Sequence, residues 1–163
     1  MLDAYIPKGA FDDAVEKQLL AQLTDILLKW EGADPSNEAA RALAWVFLHR
    51  PEVIYKAGSP TDVPHYRIVV SVPEGQLNKE RREGMVAAVT KAVLDAEPSE
   101  RERDPDRVWV FTSQVPEGTW GGGGRIVGLA DIATKVSGDP VIGKAHAKKR
   151  LAAAKAEREA AYE

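Results

Sequence analysis

Four consecutive glycines, Gly121 to Gly124, followed by Arg125, form the most conspicuous candidate for chemistry in the sequence. Successive backbone N–H groups in such a run can cradle an anion, and a guanidinium fork pairs two carboxylate oxygens at once. A phosphate loop also needs a Lys followed by Ser or Thr, with a helix opening behind it. Neither follows here, so the run reads as a flexible hairpin packed on a neighbouring subunit. Arg125 and Arg67 are candidates to hold a carboxylate, set against the plainer readings of a solvated arginine and a strand-edge charge. Trp120 precedes the glycines and reads as an interface aromatic or as part of a binding site. The three histidines are dispersed: His49 ends a strand, His65 precedes one, and His146 has no partner in sequence. A His-cluster metal site is not expected, and no cofactor is implied. Cys is absent, which excludes disulfides and thiolate chemistry.

The elements that must position these residues follow from an internal repeat. Ile6-Pro7-Lys8-Gly9 recurs as Val72-Pro73-Glu74-Gly75, and the match runs without a gap through two helical segments. Leu19 falls on Met85, Leu23 on Val89, Thr24 on Thr90 and Leu27 on Val93. Trp45-Val46-Phe47 recurs as Trp109-Val110-Phe111, Pro51-Glu52 as Pro116-Glu117, and Tyr55 as Trp120. Each copy reads as strand, turn, helix, strand and hairpin.

The β-branched and aromatic content places strands at Leu2–Ile6, Leu43–Leu48, Tyr66–Val72 and Val108–Ser113. Asp12 and Asn78 are expected N-caps, and Gly32 ends the first helix. The first helix buries a face of Val15, Leu19, Leu23, Ile26, Leu27 and Trp30. The second turns Met85, Val86, Val89 and Val93 inward and Lys79, Arg81 and Arg82 outward.

A strand, a helix and a second strand of these lengths make a right-handed parallel crossover. Two such units give an α+β fold: a four-stranded mixed sheet with two helices on one face. The runs Trp45-Val46-Phe47 and Trp109-Val110-Phe111 leave the other face apolar as well, with no third helix inside the repeats to cover it. Other subunits are expected to do so. Pro98 to Asp106 reads as an exposed charged loop. The Ala-rich segment 143–163 reads as an exposed helical tail that adds little core and whose removal costs little, unless Leu151 and Tyr162 dock it. The division expected is 1–142 for the body, with repeats at about 1–60 and 61–135, and 143–163 for the tail.

Hydrophobic residues make up 44% of the 163, enough for a packed interior, and the net charge is −3. That balance gives no basic face for nucleic acid. The βαββαβ order also fits RNA-recognition modules, but their aromatic–basic motif is missing. No apolar run reaches the roughly 18 residues of a membrane helix, and the start lacks a signal-peptide layout; a cytoplasmic protein is expected.

The two β-α-β units, the Pro-x-Gly turn before each helix, and Val115-Pro116-Glu117-Gly118-Thr119-Trp120 with its glycines resemble the tautomerase superfamily over roughly residues 1–135. The two-unit length is similar to cis-3-chloroacrylic acid dehalogenase and macrophage migration inhibitory factor. The resemblance implies a homotrimer, a small carboxylate or enol substrate, and an amino-terminal proline as the base. It places Trp120 and Tyr55 where the family has an aromatic lid, and Arg67 near the pocket mouth. It also implies departures. The chain begins Met1-Leu2. The dehalogenase's helix histidine falls on Leu27, its two arginines on Pro73 and Gln76, its tyrosine on Phe111 and its glutamate near Gly122. Either the proline has been lost, the reading adopted here, or Met-Pro lies just upstream. The Met1 amine would then be a poorer base, a primary amine with an ordinary pKa near ~8. The expected activity is weak or absent enol–keto tautomerisation without dehalogenation, and the alternative is a non-catalytic trimeric binding or structural protein.

Overall fold

The chain is described by a computed structural model covering residues 1–161. Four strands form one sheet: β1 (Leu2–Tyr5), β2 (Val46–His49), β5 (Tyr66–Pro73) and β6 (Val108–Val115), in the order β2-β1-β5-β6. β1 and β2 run parallel, as do β5 and β6, and the two units join through antiparallel β1 and β5. Two short ribbons complete the hairpins, β3 (Tyr55–Lys56) with β4 (Ser59–Pro60) and β7 (Gly121–Gly122) with β8 (Arg125–Ile126).

Helices α1 (Asp13–Glu31) and α3 (Lys79–Ala96) cover one face. The core between the layers joins Leu2, Ile6, Leu19, Leu23, Leu27, Ile68, Val70, Met85, Val89 and Val93. Each such side chain contributes about 1.5–3 kcal/mol by leaving water. Trp30 packs against α3, where a Cβ on Gly84 would stand 2.0 Å from its ring. The caps differ in kind. Asn78 accepts from the Arg81 N–H, whereas Asp12 makes no side-chain cap bond. Gly32 closes α1 in the left-handed region, at φ 87°.

Several expectations need correction. Leu43 ends a short helix, α2 (Glu38–Leu43), capped by Asn37, instead of starting a strand. Val86 is exposed, and Arg81 turns back toward the body. The 98–106 segment is only partly a solvated loop, because Arg101 reaches Glu97 and Tyr66 beneath it. Next to it Arg107 and Glu97 form a doubly hydrogen-bonded pair whose side chains are 4% and 3% exposed.

The largest difference is at the C-terminal end. Two helices, α4 (Leu129–Ser137) and α5 (Pro140–Ala160), form a hairpin. It closes so tightly that a Cβ on Gly143 would sit 2.1 Å from Thr134 Oγ1. α5 is not a free tail. Its small face of Gly143, Ala147 and Ala154 is buried. Its backbone at Arg150 lies against Gly75, where a Cβ would come within 3.0 Å. The Arg82–Glu157 and Arg158–Glu74 pairs fasten it further. Leu151 is half-buried, and Tyr162 lies outside the described residues. Among the described residues no helix is long and apolar enough to cross a membrane.

The second sheet face is open. Register puts Phe47, Asp3, Val69 and Phe111 in one row across it and His49, Tyr5, Arg67 and Trp109 in the next. The repeat persists in side-chain geometry. Trp45 meets Phe47 edge-on at 6.3 Å and 69°, and Trp109 meets Phe111 at 6.3 Å and 71°. Trp45 is 60% exposed and Trp109 64%. His49 is no loose turn residue: it bonds Asp3 at 2.7 Å and stacks on Tyr5.

Candidate functional site

β1 enters the sheet at Met1, which pairs with Ser71 in both directions. The Met1 amine donates to the Ser71 carbonyl, and the Ser71 N–H donates to the Met1 carbonyl, each at 2.9 Å. Because α1 runs back over the sheet, its last turn ends at this corner. So do the β5–α3 turn and the first turn of α3. Burial holds the Met1 amine below its ordinary pKa, opposed by the nearby Glu31 and Asp3 carboxylates. Burial pushes the Glu31 carboxyl up to about 7, against the pull of the Met1 amine and Arg81. An amine shifted down and a carboxyl shifted up, side by side, can both exchange protons near neutral pH.

Arg81 reaches back from α3 and donates to the Glu31 carbonyl at 2.9 Å and the Gln76 carbonyl at 3.1 Å. Arg150 approaches from α5. A Cβ on Gly32 would lie 2.9 Å from an Arg81 nitrogen and 3.2 Å from an Arg150 nitrogen, so both guanidiniums converge on that spot. Neither forms an ion pair with a carboxylate among the described residues. Burial lowers the Arg150 pKa, and Arg81 lowers it further. His146 has a partner after all: its Nε2 lies 3.1 Å from the Gln76 side-chain oxygen. Burial lowers the His146 pKa, and the Arg150, Arg81 and Lys149 charges add to the effect.

The residues read from sequence are not brought together. Met1 is at this corner. Arg67 is four residues along β5 from Ser71, about 13 Å away, and its guanidinium lies over the Tyr5 and Phe111 rings at 5.1 and 5.3 Å. Trp120 and Arg125 flank the exposed glycine hairpin, with Arg125 3.4 Å from Asp131. Sequence reasoning missed Glu31, Arg81, His146 and Arg150. Only the placement of Arg81 one turn into α3 was visible, and it read as an outward charge. A cleft of about 520 Å³ lies at the opposite end, beside Phe11, Gln18, Gln22, Asp95 and Pro98. Of the carboxylates that line it, Glu97 is paired with Arg101 and Arg107, and Asp95 with Lys91 and Arg103.

Structural comparison finds a crystal structure of Pt0534 inactivated by 2-oxo-3-pentynoate. It has a TM-score of 0.63 and 23% identity, and the match covers 77% of this chain and 94% of that one. A member of the cis-3-chloroacrylic acid dehalogenase family matches at TM-score 0.61 and 18% identity, over 77% of this chain and 82% of its own. This chain has the tautomerase fold. A wild-type fused 4-OT in symmetric trimer form matches at 0.61 and 22% identity, over 82% of this chain and 97% of that one. No family model and no curated protein sequence matches the chain.

The positions that the tautomerase resemblance singles out are occupied otherwise. Leu27 is core, Gln76 is engaged by His146, and Phe111 lies on the open sheet face.

Proposed function

We propose that the protein binds a small enol or keto carboxylate and interconverts the two forms slowly, with the Met1 amine as the base. The observation that carries this is the desolvated amine at the strand end, held by Ser71, with the Glu31 and Asp3 carboxylates acting on it. In the keto-forming direction the neutral amine takes the enol hydroxyl proton. The resulting ammonium returns that proton to the adjacent carbon as the carbonyl forms. No proton is gained or lost overall. The Glu31 carboxylate favours the intermediate ammonium, which is where its charge helps. A primary amine, with the catalytic positions of the resemblance filled by Leu27, Gln76 and Phe111, supports a rate far below that of proline-bearing relatives, and no dehalogenation.

The protein acts as a homotrimer in this reading. Support comes from the exposed aromatic rows on the open sheet face and from neighbours of the same fold that are trimers. Sedimentation of a monodisperse monomer would sink this part. The catalytic part is tested with phenylenolpyruvate or 2-hydroxymuconate, following ketonisation by ultraviolet absorbance. A rate indistinguishable from buffer would leave the second reading, a non-catalytic trimeric binding protein. That reading is favoured by one observation, the commitment of the Gln76 side chain to His146.

A further inference from the structure

The helix hairpin beyond the repeats brings one group to the Met1 corner that the two β-α-β units cannot supply, the Arg150 guanidinium. Two features make its position unusual. First, Arg81 and Arg150 converge over Gly32, the residue whose missing side chain leaves room for both. Second, neither guanidinium meets a carboxylate among the described residues, whereas eight of the eleven arginines do. Arg81 is anchored by two backbone carbonyls, and the Arg150 side chain makes no hydrogen bond among the described residues. Adjacent like charges in a half-buried corner repel, and an anion placed between them relieves that repulsion while accepting from both forks. Among the described residues Glu31 and Asp3 are the carboxylates acting on the Met1 amine, and burial raises the Glu31 pKa, which weakens its competition for the two guanidiniums.

We propose that Arg81 and Arg150 together form the carboxylate-binding site of this molecule, with α5 supplying the second arginine. The ligand class is a small carboxylate, held so that its reactive carbon faces the Met1 amine. His146 positions the turn beneath it by fixing the Gln76 side chain. The proposal rests on the tautomerase reading for the identity of the substrate and on the two guanidiniums alone for binding.

Fumarate, which has no enol to ketonise, separates the two. Calorimetric titration of the full chain is expected to show binding, weakened about tenfold or more in Arg150→Leu through loss of a charge-assisted contact. Arg150→Lys, which keeps charge without the fork, should fall between. The Arg150→Leu melting temperature is expected to hold or rise, since the repulsion with Arg81 is gone; should that variant fail to fold, Arg150→Lys carries the comparison. No fumarate binding by the wild type, or equal binding by the variants, overturns the proposal. Binding of inorganic phosphate without fumarate overturns the assignment to carboxylates. Arg150-dependent fumarate binding without ketonisation leaves the site standing and removes the catalysis. Ketonisation with a KM unchanged in Arg150→Leu does the reverse.

Discussion

Replacing Glu31 by Gln tests the electrostatics of the Met1 corner directly. The Glu31 carboxyl has an ordinary pKa of 4.5 and is pushed up to about 7 in the folded chain, with burial as the largest cause. Between those two values the native state keeps a proton that the unfolded chain has released. The native state then binds more protons, so this residue's contribution to stability falls as pH rises through the window. At about 1.4 kcal/mol per pH unit the ceiling is about 3 kcal/mol. Glu31 is half-buried, and the Met1 amine and Arg81 compensate its charge, so about 1–2 kcal/mol is the expected size. The Met1 amine works in the opposite sense, because its lowered pKa adds stability as pH rises toward 8.0. Comparing wild type with Glu31→Gln at each pH removes most of that term. Urea unfolding at pH 5 and pH 8 is the assay. The variant should match wild type near pH 5 and exceed it at pH 8 with an unchanged denaturant slope. A difference independent of pH, or a variant weaker than wild type at pH 8, refutes the assignment of a desolvated carboxyl at this corner.

Truncation after Gly138 removes α5 with its buried Gly143, Ala147 and Ala154 face and its Arg82 and Glu74 pairs. The melting temperature should fall by several degrees, corresponding to about 2–4 kcal/mol; an unchanged melting curve would return the helix to the status of a free tail. Gly84→Ala drives a methyl into the Trp30 ring and should cost about 1–3 kcal/mol by denaturant unfolding, with no cost if α1 and α3 separate freely. Glu97→Gln leaves the Arg107 guanidinium buried without its charge partner, and a loss of about 3–5 kcal/mol is expected in the same assay.

The sheet was legible because two signals agreed. The Pro-x-Gly repeat fixed where each helix starts, and the β-branched runs around Ile68 and Val110 fixed the strands. The open face was legible for the same reason, since Phe47 and Phe111 alternate with residues that face the helices. The α5 contact was not. An Ala-rich face carries almost no hydrophobic periodicity, and its docking depends on close approach at Gly75 and Gly143, where small residues let backbones meet. Propensity marks such a helix but says nothing about what it lies against. The site failed to show for a related reason. Arg81 and Arg150 are separated by most of the second repeat and the hairpin, and nothing in either local pattern links them. His146 lacked a partner in sequence because that partner is a turn residue 70 positions earlier.

Two groups of candidate residues therefore differ in what they need from quaternary structure. Within one chain Glu31 acts on both the Met1 amine and Arg81, and Arg81 converges with Arg150 at Gly32, across α1, α3 and α5. Arg67, Trp120 and Arg125 do not meet them. Arg67 sits on the open sheet face with its charge over two aromatic rings, and the glycine hairpin stands away from the core. The second group can act on a ligand at Met1 only if assembly brings a neighbour's hairpin or sheet face to that corner. Binding through Arg81 and Arg150 should thus persist in a chain kept monomeric. Any contribution of Arg125 or Trp120 should vanish on dissociation. A fumarate affinity that survives an open-face charge such as Phe111→Glu, in a chain shown by sedimentation to be monomeric, would place the binding determinants within the single chain. Loss of that affinity in a folded monomer would instead make the corner an intersubunit site and reduce Arg150 to a helper of the interface.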